Sequence, residues 1–118
     1  MHTSSRDPAA TLFADAGTEL ERAVRLAEDP AAADRAVLAS ARRAAGLAVR
    51  GILLERGSAA ARPAGDEALP ALLQDAGLRA PAGVVELLLG GDAGRTAAVT
   101  AAMAAVTWSA ASRPPAEP

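Results

Sequence analysis

Apolar positions recur along this chain at steps of three and four, and no period of two persists long enough to argue a strand. The spacing of Phe13, Ala16, Leu20, Val24 and Ala27 predicts one face of a first helix. Asp7-Pro8 opens it as an N-cap followed by proline at the first helical position, where the missing N–H costs nothing. Glu21 and Arg25 stand four apart, in position to pair on the wet face. Asp29-Pro30 repeats the capping signal, so the first helix is predicted to end near Glu28 and a second to start near Ala31.

The second helix is predicted to run to about Arg56, with Gly57 as its stop. Its first half sets Val37, Ala41, Ala44 and Ala48 against Asp34, Arg35, Arg42 and Arg43. From Ala44 to Leu54 it is apolar nearly all round except for Arg50, as a helix is when neighbours surround it. Gly46 and Gly51 would each cost about 1 kcal/mol against Ala in an exposed helix, so their presence predicts the close approach of another backbone. A loop over 58–65 is broken by Pro63 and Gly65.

Asp66-Glu67 then opens a short third helix with Leu69, Leu72, Leu73 and Ala76 on one face, and Gly77 closes it. Pro70 fits only if it lies in the first turn. Pro81 opens a brief helical piece carrying Val84, Val85, Leu88 and Leu89, which Gly90-Gly91 ends. Asp92 is the expected N-cap of the last helix, with a stripe of Val99, Ala102, Met103, Val106 and Ala110 and a stop at Pro114-Pro115. The predicted fold class is all-α, an antiparallel up-and-down bundle of four to five helices. Residues 9–113 form one domain, between a flexible start at 1–8 and a disordered tail at 114–118.

Composition narrows the chemistry. Of 118 residues, 34 are Ala, and the only aromatics are Phe13 and Trp108. With so few large side chains, the core has to come from helices packed closely on Ala and Leu. Trp108 is expected to anchor either that core or a subunit interface. There is no Cys, which excludes disulfides, Cys-ligated zinc and a thiol nucleophile, and the one histidine, His2, lies in a polar N-terminal stretch. Ser40 and Ser58 have no His or Lys partner in the pattern. The acidic residues show no Glu-x-x-His spacing, so neither a metal nor a cofactor is expected. Gly90-Gly91-Asp92-Ala93-Gly94 lacks the Lys and the preceding strand of a phosphate loop.

The net charge of −2 excludes a strongly basic footprint as a bulk property, though not a local Arg patch. All 12 basic residues are Arg, a bias that, with the Ala content, points to a GC-rich genome. No apolar run approaches the about 20 residues of a membrane span, and the N-terminus has no secretory pattern. A cytoplasmic location is the expectation.

Several charged residues are candidates for a site. Arg95, three residues after Asp92, either contacts a phosphate or carboxylate or pairs with its own cap. Arg50, the one charge in an apolar turn, needs a partner, and Glu86, Glu67 and Asp75 are the candidates. Arg35, Arg42 and Arg43, with Arg22 and Arg25, form either a basic stripe or a solvated face balanced by Asp34, Glu21 and Glu28. Convergence of Arg50, Glu67, Glu86 and Arg95 would make a ligand pocket or an active site.

The run Ala41-Arg42-Arg43-Ala44-Ala45-Gly46-Leu47-Ala48-Val49-Arg50-Gly51-Ile52-Leu53-Leu54-Glu55-Arg56-Gly57 resembles the end of the second long helix in the HEPN family of small bacterial helical bundles. Glu67-Ala68-Leu69-Pro70-Ala71-Leu72-Leu73 is similar to the family's segment after the loop, and Val99 to Trp108 to its closing helix. The likeness covers residues 12 to 113. It departs from the family at Gly46, where the family carries a Glu, and at Glu67, where it carries a His. Active HEPN ribonucleases have R-x4-6-H near the start of the last helix. Here Arg95 is present and no His follows at any allowed spacing, and Thr100 does not titrate near neutral pH. The family's adenylylated tyrosine is missing too, since the chain has no Tyr. The resemblance implies a non-catalytic bundle that acts by interaction, with a nucleotidyltransferase-like protein as its natural partner, and an Arg-lined groove would bind the partner protein or nucleic acid. The thin core, with one Phe and one Trp, favours a homodimer through Ala- and Leu-rich helix faces, because association adds buried area. A small-molecule or enzymatic bundle, and an accessory subunit of a biosynthetic pathway, are the alternatives.

Overall fold

A computed structural model describes residues 7–61, 63–91 and 94–113. Its elements are helices α1 (Pro8–Glu28), α2 (Asp34–Glu55), α3 (Leu69–Asp75), α4 (Val84–Leu88) and α5 (Arg95–Ser112), with 3-10 turns at Ala59–Ala61 and Asp66–Ala68. There is no strand among the described residues. The expected cap at Asp92, the tail at 114–118 and residues 1–6 of the expected flexible start lie outside the described residues.

The ends of the helices follow from local chemistry. Asp7 Oδ1 accepts the N–H of Ala9 at 3.0 Å and Pro8 is the first residue of α1. The same signal at Asp29-Pro30 builds only a turn, in which Asp29 Oδ1 accepts from Ala31 at 2.9 Å. Helix α2 starts at Asp34, three residues later than its predicted start at Ala31. Three helices end in the same lock. After α2, Gly57 (φ 86) donates to Leu54 O and Ser58 to Leu53 O, at 3.0 and 2.9 Å. After α3, Gly77 and Leu78 repeat it on Gln74 and Leu73, and after α4, Gly90 and Gly91 do so on Leu87 and Glu86. This is the Schellman pattern, which needs a left-handed residue that glycine adopts without a Cβ clash. Pro70 falls in the first turn of α3, after a 3-10 turn in place of the predicted helical start.

Helices α1 and α2 pack along each other, and α5 lies against both. Among the described residues 21 hydrophobic ones are buried, and 12 of these are Ala, so the helices meet mainly through methyl groups. Ala41, Ala44, Ala45, Ala48 and Val49 of α2 are fully buried, with Ile52 and Leu53 behind them. Larger side chains gather where α3 and α4 cover α2, at Leu69, Leu73, Val84, Leu87 and Leu88.

Scarce bulk also shifts the predicted faces. In α1 the buried positions are Ala9, Ala16 and Ala23, while Phe13, Leu20, Val24 and Ala27 are half-buried. In α5 the inner face is Ala98, Ala101, Ala102, Ala105 and Ser109, while Met103 is 47% exposed and Ala110 is exposed. Leu89 and Ala76 are exposed as well. Hydrophobicity ranks Phe13, Leu20, Val24 and Met103 inward, whereas close helix contact selects small residues; Ala76 and Ala110 are as small as the buried alanines and lie outside by their place on the helix. Trp108 is half-buried against the core. Glu21 and Arg25 are both exposed and do not pair. No described helix is long and apolar enough to cross a membrane.

Gly46 and Gly51 make room for side chains, not for the backbone predicted there. A Cβ at Gly51 would stand 2.5 Å from Phe13 Cε1, and one at Gly46 would stand 2.7 Å from Asp66 Oδ1.

Candidate functional site

Arg95 is the first residue of α5, and its side chain turns back across the α1–α2 connection. Nη1 donates to the carbonyls of Leu26, Ala27 and Asp29 at 3.3, 3.1 and 3.1 Å. Nη2 donates to Ala32 O at 2.6 Å, and Nε to Asp34 Oδ1 at 2.8 Å. The last carbonyls of a helix have no partner within it and form the negative end of its dipole. A guanidinium supplies both the charge and the fork of donors to meet them. The described partner is therefore Asp34, 61 residues away in sequence, with four backbone carbonyls beside it.

Arg50 is used in a similar way at the far end of α2. Its side chain is 16% exposed, with Nη1 2.6 Å from Ala61 O and Nη2 2.9 Å from Asp66 Oδ1. The carboxylate that meets it is Asp66, and none of the three anticipated acids, Glu86, Glu67 and Asp75, forms that pair. Gly46, one turn before Arg50, leaves the space that Asp66 fills. A glycine one turn from a lone charge on an apolar face signals in the sequence that something fills the space beside Arg50, without saying which acid it is.

Arg42 and Arg43 diverge by their helical phase. Arg42 Nε donates to Leu87 O near the end of α4, at 2.9 Å. Arg43 points to α1, where its Nη1 is 3.6 Å from Glu19 Oε2. Arg35 and Arg42, one heptad apart, line a cavity of about 700 Å3 together with Leu38, Asp34 and the glycines 90, 91 and 94. Glu86 lines a separate groove of about 430 Å3 between α4 and α5, with Leu87, Ala97, Ala98 and Ala101. Glu67 is exposed, and its carboxylate lies over Gly65.

The four residues whose convergence would have made a pocket do not converge. Asp34, beside Arg95, and Arg50 are 16 positions apart on α2, about 24 Å along the helix. Glu86 faces the α4–α5 groove, and Glu67 sits in the 3-10 turn next to Asp66. Among the described residues no group of three His, Asp or Glu is placed to hold a metal.

A cluster that the sequence reading missed joins three helix ends. The Arg113 guanidinium lies 4.4 Å from the centroid of the Phe13 ring. Its Nε donates to Glu55 Oε2 at 3.2 Å, and Nη2 is 4.0 Å from Asp7 Oδ2. No local spacing marks it, because its members come from the start of α1, the end of α2 and the residue after α5.

The chain matches no protein-family model, no curated protein and no solved structure. The arrangement of its side chains is therefore what a functional reading rests on. Arg95, Arg50 and Arg42 each satisfy backbone carbonyls of a neighbouring segment, so these candidate residues tie the bundle together. Helix α5, in contrast, presents exposed Thr96, Thr100, Met103 and Thr107 and has no charged side chain from Thr96 to Ser112.

Proposed function

We propose that this protein is a non-catalytic, HEPN-like antiparallel bundle that works by binding other proteins in the cytoplasm. It pairs with a second copy and serves as partner to a nucleotidyltransferase-like protein. The observation that carries this reading is the engagement of Arg95. It stands at the start of the last helix, where the resemblance puts the arginine of the ribonuclease motif, and its Nε, Nη1 and Nη2 all donate within the bundle. A guanidinium spent on four carbonyls and a carboxylate is a structural clasp, and no histidine accompanies it. The order of two long helices, two short ones and a long last helix supports the family likeness.

Purified protein is expected to turn over neither RNA nor nucleotides, and to elute as one complex with a nucleotidyltransferase-like protein co-expressed from a neighbouring gene. RNA cleavage that disappears in Arg95→Lys, with helix content unchanged, would overturn the reading. A second reading, small-molecule binding, draws on the cavity between Arg35 and Arg42. Calorimetric titration with inorganic phosphate and with nucleotides separates the two. Saturable heat lost in Arg35→Ala favours the second reading, and the absence of heat favours the first.

A further inference from the structure

Among the described residues, Arg43, Arg50, Arg95 and Arg113 each meet an acid within the bundle, at Glu19, Asp66, Asp34 and Glu55. Arg35 and Arg42 do not. Neither forms an ion pair with a described residue, and Arg35 makes no hydrogen bond with one. Both line the same cavity of about 700 Å3, so two guanidinium charges share one open space. The acid that lines it, Asp34, has Oδ1 committed to Nε and Nη2 of Arg95.

Arg42 is also held in place. Its Nε donates to Leu87 O at 2.9 Å, and its Nη2 comes 4.0 Å from where a Cβ would stand on Gly90, in the wall of the same cavity. A guanidinium anchored through Nε loses less freedom when its Nη groups take a ligand than an untethered one does. The paired N–H donors of its fork match the two oxygens of a carboxylate.

The surroundings choose between anions. Beside the two charges stand Leu38, half-buried in the cavity wall, and Leu89, which precedes Gly90 in the chain and is 57% exposed. An exposed leucine next to unmatched guanidiniums suits a carboxylate that arrives with an apolar neighbour. A nucleic acid asks for more positive charge and for a stacking surface. Here Arg43, Arg50 and Arg95 are engaged elsewhere, the net charge is −2, and neither Phe13 nor Trp108 lines the cavity.

We propose that the cavity between Arg35 and Arg42 is where a partner protein docks, through a segment that sets a glutamate or aspartate against the two guanidiniums and a large apolar side chain against Leu89. This rests on the reading that the protein works by binding other proteins, and it specifies the surface and the chemistry of what binds there.

NMR titration of the isotopically labelled full chain, with a short acetylated peptide carrying glutamate and leucine side by side, tests it. Saturable shifts are expected at the Nε–H signals of Arg35 and Arg42 and at the amides of Gly90 and Gly91. Arg35→Glu, at an exposed position, is expected to weaken binding by about tenfold or more, and Leu89→Ala to weaken it severalfold. Arg22→Glu makes the same change of charge on the exposed face of α1 and leaves binding unchanged. No shift at these signals, wild-type affinity in Arg35→Glu, or equal affinity for a peptide with glutamine in place of glutamate overturns this surface. Tighter binding of a single-stranded oligonucleotide than of the peptide overturns the choice of partner. Co-expression with the nucleotidyltransferase-like protein separates the surface from the reading beneath it. A complex lost in Arg35→Glu supports the surface, and a complex that survives Arg35→Glu overturns the surface alone. No complex with the wild type overturns the reading itself.

Discussion

Nε and Nη2 of Arg95 converge on a single oxygen of Asp34, Oδ1, each at 2.8 Å. The pair looks like a salt bridge between α5 and the start of α2, yet its carboxylate is 70% exposed and well screened. The carbonyls of Leu26, Ala27, Asp29 and Ala32 are the more consequential partners. Arg95→Ala leaves them without this donor and is expected to cost about 2 kcal/mol, a fall of roughly 10 °C in Tm. Asp34→Ala is expected to cost less than about 1 kcal/mol. Urea denaturation of both variants checks the ranking, and equal losses would assign the effect to the ion pair.

Gly51 and Phe13 are coupled through space. Gly51→Ala gains helix propensity of about 1 kcal/mol but drives a methyl into the Phe13 ring, which costs about 1–3 kcal/mol. The single substitution should therefore destabilise, and the same substitution in a Phe13→Ala background should stabilise. A double-mutant cycle by thermal unfolding reads the sign change directly.

Two other glycines separate space from backbone conformation. A Cβ at either Gly17 or Gly57 meets nothing within 4 Å, but Gly57 has φ 86. Gly17→Ala should stabilise by about 0.5–1 kcal/mol by restricting the unfolded chain. Gly57→Ala should destabilise by about 1 kcal/mol, because a side chain in the left-handed region crowds the following carbonyl. Chemical denaturation of the two variants should move in opposite directions.

Glu19 buries its Oε1 with no hydrogen-bond partner among the described residues, while Oε2 lies 3.6 Å from an Arg43 that is 58% exposed. Desolvation of that oxygen is poorly compensated. Glu19→Met is expected to be neutral or to stabilise by up to about 1 kcal/mol, as read from the urea midpoint. A loss above that range would show that the Arg43 pair outweighs the orphaned oxygen.

The sequence carried the helix ends more faithfully than the helix faces. Asp7-Pro8, Gly57, Gly77 and Gly90 act within one or two turns, so their signals are local and were read in place. Ala31 to Ala33 carry no such signal, and the Asp29-Pro30 pair places the start of α2 three residues before its position at Asp34. On α5, hydrophobicity ranks Met103 inward while close helix contact admits Ala98, Ala102 and Ala105; Ala110 differs from those three only in its place on the helix, which residue type does not reveal. Partners such as Asp34 for Arg95 and Glu55 for Arg113 join segments far apart in sequence, and no spacing rule reaches that far. That Arg50 needed a partner was legible from its apolar surroundings. Which acid met it depended on the path of the 59–68 segment.

An interior lined chiefly by alanine reverses the usual direction of mutational harm. In most domains trimming a leucine opens a hole, whereas here the commonest inner residue has a single carbon to give up. The vulnerable change is growth, since valine or leucine at Ala44, Ala45 or Ala102 would wedge apart helices that have no slack between them. Those positions are held at alanine from both sides, since glycine there gives up about 1 kcal/mol of helix propensity, and added bulk is accommodated only at the ends of the bundle and on its outer surface.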